Sequence, residues 1–475
     1  MSIEEDWEAV GSPRGSVNRL PTLAHTILLL LAILGARPAH AQPYWTSYAA
    51  SADSSDSARA VFRDPSMPLA EAVFYWPVRV VAEPVVLLAA GFGETIEFLD
   101  DVRFVKRVGK LLGQRKGPLA VVPSIQAGGL GGFGGGLSLE HDAFLHKGNL
   151  LRLRGSATVN GDTRLSLGTR FPLGEGEYFE YGAGYRNRAN ARYFGIGPDS
   201  KENDESFYRQ ELGWTGAAFR HSLVARIFWE ADLLYSTIAA GEPREDVTPS
   251  ISTKFAGALP FGFGERSYGA SAGLQLLHEN ESGVGRTTRG GSRRVRVERF
   301  ESTDKHSLGF WNYRAELQQF LTLWHPYRVL AIRAYGSWLD PTGRDSIPFQ
   351  RLMVNDTPDV LRGYRAFRFR DRGMIALNGE YRFPIFMKQN LGEAGADLYP
   401  LADWGQVFDD AHQIGIRRMA FSYGLGLRIE SGRGLVGRIE WARSEDETTL
   451  LLRLDQVFQY TKLGFLYGRD PIPSR

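Results

Sequence analysis

The chain has 475 residues, no cysteine and a formal net charge of +2. Without cysteine there can be no disulfide framework, thiolate zinc site, iron–sulfur cluster or cysteine nucleophile. So small a net charge also lacks the basic footprint of a nucleic-acid-binding protein.

The first 41 residues read as an address. Arg14 and Arg19 precede the apolar run Ile27–Leu34, and Ala39-His40-Ala41 follows with small residues at the two positions a signal peptidase reads. That order predicts a signal peptide over residues 1–41, cleaved after Ala41. The apolar run is too short for the alternative, a membrane anchor. Residues 42–117 begin as a polar leader. Between Ile96 and Leu112, Phe98, Leu99, Val102, Val105 and Leu112 recur at helical spacing, which predicts one amphipathic helix. No later stretch has 18 consecutive apolar residues, so no transmembrane helix is predicted.

From about residue 118 the period switches to two. Leu151, Leu153 and Ala157 alternate with Arg152, Arg154 and Thr158. Trp311, Tyr313 and Leu317 alternate with Asn312, Arg314 and Gln318. Ile375, Leu377, Tyr381 and Phe383 alternate with Ala376, Asn378, Glu380 and Arg382. One face of each run is apolar or aromatic, and the other carries charges in mid-strand. Runs of about 10 residues match what a tilted strand needs to cross a bilayer, and closure satisfies every backbone group there. The predicted fold is therefore all-β: a transmembrane antiparallel barrel of about 16 strands over residues 118–458, with a short helical segment before it and a tail over 459–475. About eleven of these strands precede Asp359 and about five follow. Val159–Asp162 and Glu430–Gly434 read as hairpin turns. Asn190–Ser206, Glu242–Ser250 and Asn280–Lys305 read as longer loops. The usual barrel asymmetry puts short turns on the periplasmic side and long loops outside.

Several patterns that look chemical fit strands or turns better. Gly129–Gly134 satisfies G-x-G-x-x-G, but Leu137–His141 continues as a strand where a nucleotide site needs a helix. Gly269–Gly273 satisfies G-x-S-x-G, but inside an alternating run, without the sharp turn of a nucleophile elbow. The histidines show no metal-ligand spacing. Asp409-Asp410-Ala411-His412 reads as a solvated turn. No catalytic residue, cofactor site or metal site is predicted, and the chain is not expected to be an enzyme.

The most informative stretch runs from Asp359 to Ile385. It opens on Leu361-Arg362-Gly363-Tyr364 and continues through a basic, aromatic run. Here the chain resembles the BamA/TamA superfamily of outer-membrane barrels, the bacterial surface antigen family. In that family an [VIL]-R-G-[FY] motif tips an extracellular loop that folds back into the lumen. Glu380–Ile385, Ala402–Val407, Gly424–Ile429, Ile439–Arg443 and Leu450–Phe458 resemble the family's following strands, in the family's order. The resemblance covers roughly the last quarter of the chain. It implies a barrel in the bacterial outer membrane, embedded in lipid, that inserts or translocates proteins there. Unfolded outer-membrane proteins or a periplasmic component would be the partners. A passive or gated pore is the alternative. Family members usually carry periplasmic POTRA modules before the barrel. Residues 42–117 read as a leader and one helix, so no POTRA module is expected.

An arginine inside a lumen needs a partner, because an unpaired buried charge is costly. Its planar fork matches a carboxylate. Glu380 lies on the polar face of its strand, and Asp403 is placed on the lumen side of the next, although Tyr399 and Leu401 share its face. Arg362 is therefore expected to reach Asp403, Glu380 or both, with Gly363 bending the turn and Tyr364 packing on the wall. The alternative is an exposed basic loop, whose ion pairs contribute little.

Overall fold

The computed structural model describes residues 115–116, 118–126, 132–280, 287–304, 307–325, 327–356, 359–388, 394–431 and 434–453. The expected signal peptide, amphipathic helix and C-terminal tail lie outside them. Among the described residues, sixteen strands of six or more residues follow one another. The first eleven are β1 (Leu119–Gln126), β2 (Gly134–His141), β3 (Leu150–Thr158), β4 (Thr163–Gly174), β5 (Glu177–Tyr193), β6 (Ser206–Val224), β7 (Ile227–Gly241), β8 (Arg266–Glu279), β9 (Gly290–Ser302), β10 (Gly309–Thr322) and β11 (Val329–Pro341). Five more follow a long connection: β12 (Gly373–Lys388), β13 (Ala394–Phe408), β14 (Ala420–Ser431), β15 (Gly434–Ser444) and β16 (Thr448–Arg453). Each pairs antiparallel with the next in sequence. The two-residue strand Arg115–Lys116 pairs with the start of β1.

The side chains are distributed inside out compared with a water-soluble sandwich. Leu165 (55% exposed), Leu233 (66%), Leu274 (58%) and Trp441 (43%) point outward, whereas Glu180, Glu230, Arg296, Arg314 and Glu440 are buried. That inversion is the mark of a barrel with lipid outside and a polar lumen. Aromatic rings band the outer surface near both ends of the sheet. Trp404, Phe421, Tyr423 and Trp441 stand at successive centroid spacings of 5.0, 6.0 and 6.4 Å. Trp324, Tyr381 and Phe383 stand near the other end, at 6.1 and 5.8 Å. Amphipathic rings favour this level of a bilayer. Among the described residues no helix is long and apolar enough to cross a membrane.

The segment Asn280–Lys305, expected to be a loop, instead contains β9. Its charges hide a regular alternation. Arg294, Arg296 and Glu298 are buried and inward, and Val295 is 37% exposed. The inward charges are matched from neighbouring strands: Arg294 Nη2 donates to Glu316 Oε2 at 2.8 Å, and Arg296 Nη2 to Asp232 Oδ2 at 2.9 Å. Val159–Asp162 joins β3 to β4 as expected, but at the same end of the sheet as the long connections 194–205, 242–265 and 342–372. The asymmetry between the two ends is therefore not strict.

The connection 342–372, between β11 and β12, folds into the barrel. Its Phe349, Met353, Val360, Leu361 and Tyr364 are 0–4% exposed and form one apolar cluster with wall residues such as Tyr208, Phe310, Leu339 and Val407. A short ladder, Met353–Val354 against Arg370–Asp371, closes the two limbs of this loop on each other.

Candidate functional site

The tip of the loop delivers Arg362 to the inner faces of β12, β13 and β15. The guanidinium is fully buried, at 0% exposure. Nε donates to Asp403 Oδ2 at 2.8 Å and Nη2 to Asp403 Oδ1 at 2.6 Å, the two-pronged geometry that suits a carboxylate. Nη1 donates to Glu380 Oε1 at 2.5 Å and to Glu440 Oε1 at 2.9 Å. The Arg362 backbone N–H also donates to Asp403 Oδ2, at 3.0 Å. Burial alone would lower the basicity of this group; Asp403, Glu380 and Glu440 outweigh it and raise its pKa above the ordinary value.

The sheet register explains why the three carboxylates converge. Asn378 pairs with Asp403 across β12 and β13, and Glu380 with Leu401, so Glu380 sits one inward step from Asp403. Tyr399 pairs with Gly426 across β13 and β14, and Gly426 with Glu440 across β14 and β15. Beside the latch the inward positions of the intervening strand are small: Ser422, Gly424 and Gly426. A Cβ on Gly426 would fall 2.2 Å from Tyr399 Cζ. Gly426 of the G-L-G-L-R stretch thus makes room for Tyr399, whose hydroxyl donates to Glu440 Oε1 at 2.9 Å.

Tyr399 and Leu401 do share the inward face with Asp403, at 1%, 3% and 0% exposure. Under the loop the lumen wall is partly apolar, because there it packs against protein and not against water. Glu440 was not singled out from the sequence as a partner. Its strand alternates, with Ile439 and Trp441 outward at 45% and 43% exposure, and that pattern was the available signal. A second arc of charge surrounds the centre. Arg382 Nε donates to Glu380 Oε2 at 2.9 Å, Arg438 pairs with Glu440, and Arg438 Nη2 donates to Asp359 Oδ1 at 2.7 Å.

Gly363 has φ +91°, a left-handed conformation that glycine adopts without strain. A Cβ there would also lie 3.1–3.2 Å from Arg443 C, Ser422 Cβ and Ser444 N. The Gly363 carbonyl accepts from Ser444 Oγ at 2.6 Å. Tyr364 is 2% exposed; its hydroxyl donates to the Phe421 carbonyl at 3.2 Å, and its ring meets Phe369 edge-on at 5.1 Å. Leu361 packs on Gly405, where a Cβ would come within 2.9 Å of its methyls.

The basic run after the motif divides its arginines among different walls. Arg365 Nε donates to Glu447 at 2.8 Å and Nη1 to Glu205 at 2.7 Å. Arg368 Nε donates to Asp446 at 2.5 Å and Nη1 to Ser200 Oγ at 2.8 Å. Arg372 pairs with Asp409. Arg370 Nη1 donates to the Phe349 carbonyl at 2.7 Å and Nη2 to Tyr208 Oη at 3.0 Å. On the other limb Arg351 reaches β7 and β8, where Nε donates to Ser267 Oγ at 2.9 Å and Nη1 to Ser236 Oγ at 3.3 Å. Burial pulls its pKa down to about 9 against the opposing pull of Asp304 and Glu298.

Two of the patterns read as non-chemical lie where the sequence suggests, and Gly129–Gly131 of a third lie outside the described residues. Gly269–Gly273 lies inside β8. Asp410 caps the turn Ala411–Gln413 by accepting from the His412 backbone N–H at 2.8 Å.

Residues 266–448, from β8 to the start of β16, match the Omp85 superfamily domain. Over these residues the chain is similar to an Omp85 barrel. Its fold is similar to that of BamA from Haemophilus ducreyi lacking POTRA domains 1–3, at a TM-score of 0.53 and 14% identity over 72% of this chain and 71% of that one. Two CdiB proteins also align. The one from Escherichia coli gives a TM-score of 0.47 at 13% identity, and the one from Acinetobacter baumannii 0.43 at 11%. The alignments cover 72% and 71% of this chain but only 63% and 59% of those two. No curated protein matches the sequence. The matched Omp85 region contains the whole latch, from Asp359 and Arg362 through Glu380 and Asp403 to Glu440.

Proposed function

We propose that this Omp85 barrel inserts or translocates proteins at the outer membrane, and that its inner loop controls the last hairpin of the barrel. One observation carries the reading: Arg362 reaches Glu440 on β15, the strand next to the terminal strand. The same loop holds that hairpin at four further points, through Asp359 to Arg438, Gly363 to Ser444, Arg368 to Asp446 and Arg365 to Glu447. With the loop seated, β15 and β16 are fixed to β12 and β13 from the inside. With it displaced, they keep only their sheet bonds. An exposed strand edge templates pairing with an incoming strand, so freeing the terminal hairpin would open the barrel to a substrate strand. Outer-membrane proteins in an unfolded state are the substrates this chemistry fits. Support comes from the Omp85 domain and from the likeness in fold to BamA.

The test is depletion of the protein from its own cells, followed by complementation. The levels of other outer-membrane barrels should fall, recover with the wild-type chain and stay low with Arg362→Ala. Normal barrel levels in depleted cells, accompanied by a defect in solute uptake, would instead support a pore.

A further inference from the structure

Beside the latch, at the end of the barrel that carries the long connections, the seated loop forms one wall of a cavity of about 460 Å³. That is the size of a small-molecule site. Five separate segments meet there: the connection 194–205, the inner loop at Tyr364 and Arg368, the end of β13, the approach to β14, and the turn between β15 and β16. Arg368 braces them. Its Nε donates to Asp446 Oδ2 at 2.5 Å and its Nη1 to Ser200 Oγ at 2.8 Å. The charge of Arg368 is therefore matched within the protein, and Glu202 is met by Arg365 at 3.5 Å.

The remaining charges of the lining are unmatched. Lys201, Arg417 and Arg418 are exposed, and among the described residues no hydrogen bond or ion pair engages their side chains. Asp199 and Glu445 are exposed as well, without an ion pair. The mixture points to a ligand that offers both an anion and hydroxyl donors. A guanidinium fork fits a phosphate oxygen pair, and lysine adds a point charge. Carboxylates only accept hydrogen bonds, so Asp199 and Glu445 favour hydroxyl groups and repel a bare phosphate. The basic edge also adjoins the lipid-facing surface. Ile416, next to Arg417, is 85% exposed. Ala420 lines the cavity, and the following Phe421 belongs to the outer aromatic band.

We propose that this cavity binds a phosphorylated saccharide, free or as the headgroup of a glycolipid, and that the ligand holds the inner loop in its seat. Arg417 and Arg418 take the phosphate, with Lys201 from the connection 194–205. Asp199 and Glu445 accept from ring hydroxyls. The inner loop and the turn of the terminal hairpin both line the cavity, so the site is complete only while the loop is seated. A ligand that binds one state of an equilibrium favours that state. The inference does not depend on protein insertion; it requires only that the loop can leave its seat.

The test is calorimetric titration of the full chain in uncharged detergent with glucose 6-phosphate, glucose and inorganic phosphate. Glucose 6-phosphate should bind, inorganic phosphate more weakly and glucose not at all. Arg417→Gln with Arg418→Gln should weaken binding of glucose 6-phosphate about tenfold or more. Asp199→Asn with Glu445→Gln should narrow the preference over inorganic phosphate. All four side chains are exposed, and heat-modifiable migration on gels identifies the folded variants. Lipid A, a phosphorylated disaccharide lipid, separates the sources in the same detergent. Tighter binding than glucose 6-phosphate, lowered by Ile416→Ser, assigns the site to a lipid headgroup; weaker binding assigns it to a free sugar phosphate. Bound ligand should slow hydrogen exchange at residues 364–369 and 445–447. The proposal is overturned if neither phosphorylated probe binds, or if inorganic phosphate binds as tightly as the phosphorylated saccharide. Unaltered binding in the folded arginine pair, or binding without added protection of the loop, overturns it too.

Discussion

Arg362 and Arg351 lie on the same loop and are withdrawn from solvent alike, at 0% and 2% exposure. Their surroundings differ. Arg362 faces three carboxylates on three strands. Arg351 faces two serine hydroxyls, a carbonyl and the ring of Phe300, 4.3 Å from its guanidinium carbon. Two charges taken out of water must recover their hydration from each other, and a buried pair is costly to break because the survivor is stranded. At Arg362, removing the cation takes the charged partner from Asp403 and leaves Glu380 and Glu440 to Arg382 and Arg438 alone. At Arg351, it strands only neutral groups. The limb that holds the terminal hairpin is thus locked by charge, and the limb against β7 and β8 is held by packing and weak polar contacts.

The largest effect should come from Arg362→Ala, which takes the buried cation away from Asp403, Glu380 and Glu440. We expect a loss of about 3–5 kcal/mol in denaturant unfolding of the detergent-solubilised barrel, together with protease sensitivity in the loop. A change below 1 kcal/mol would erase the contrast between the limbs. Next comes Glu440→Gln, which keeps the shape but removes one charge from the bonds of Arg362, Arg438 and Tyr399. About 1.5–3 kcal/mol is expected, with faster hydrogen exchange in β15 and β16 and little change in β7 and β8.

Asp371 sharpens the comparison through pH. Burial and the nearby Asp409 push its carboxyl up to about 6, against the Arg372 backbone N–H and side chain. The folded loop therefore binds this proton more tightly than the unfolded chain does. The associated stability is complete below about pH 4 and is lost as pH rises through about 6, amounting to roughly 1–2 kcal/mol. Hydrogen exchange at Met353 and Val354, corrected for intrinsic rates, should show protection falling over that interval, and Asp371→Asn should flatten the dependence. The smallest effect is expected for Arg351→Met, a similar volume without the charge. Stability should stay within about 1 kcal/mol of wild type. A loss as large as that of Arg362→Ala would mean that both limbs are charge-locked.

The sequence made the outer half of each strand easier to read than the inner half. Alternation at Ile375–Phe383 placed Glu380 inward because lipid imposes an apolar outer face on every strand. The inner face has no such single rule. Where water or charge faces it, as at Arg314 and Glu316, it is polar. Where the loop packs on it, as at Tyr399 and Leu401, it is apolar, and there the register of Asp403 was hard to fix. The latch pair Arg362 and Asp403 was legible because a buried cation demands a carboxylate. Glu440 was harder, since its convergence depends on the small inward residues of β14 and on two consecutive registers. The charged stretch of β9 reads as a loop because its partners Asp232 and Glu316 are remote in sequence, so an inward charge looks like a solvated one.

The loop between β11 and β12 touches β7 and β8 through Arg351, β6 through Arg370, and β12, β13 and β15 through Arg362. It therefore acts as a strut across a thin-walled tube. A single-layer sheet curled into a cylinder yields most readily by becoming oval, a deformation that breaks no hydrogen bond between strands. The strut resists that mode and sets the cross-section of the barrel. Cutting its charged end would let the tube ovalise towards the terminal hairpin while every ladder remained intact.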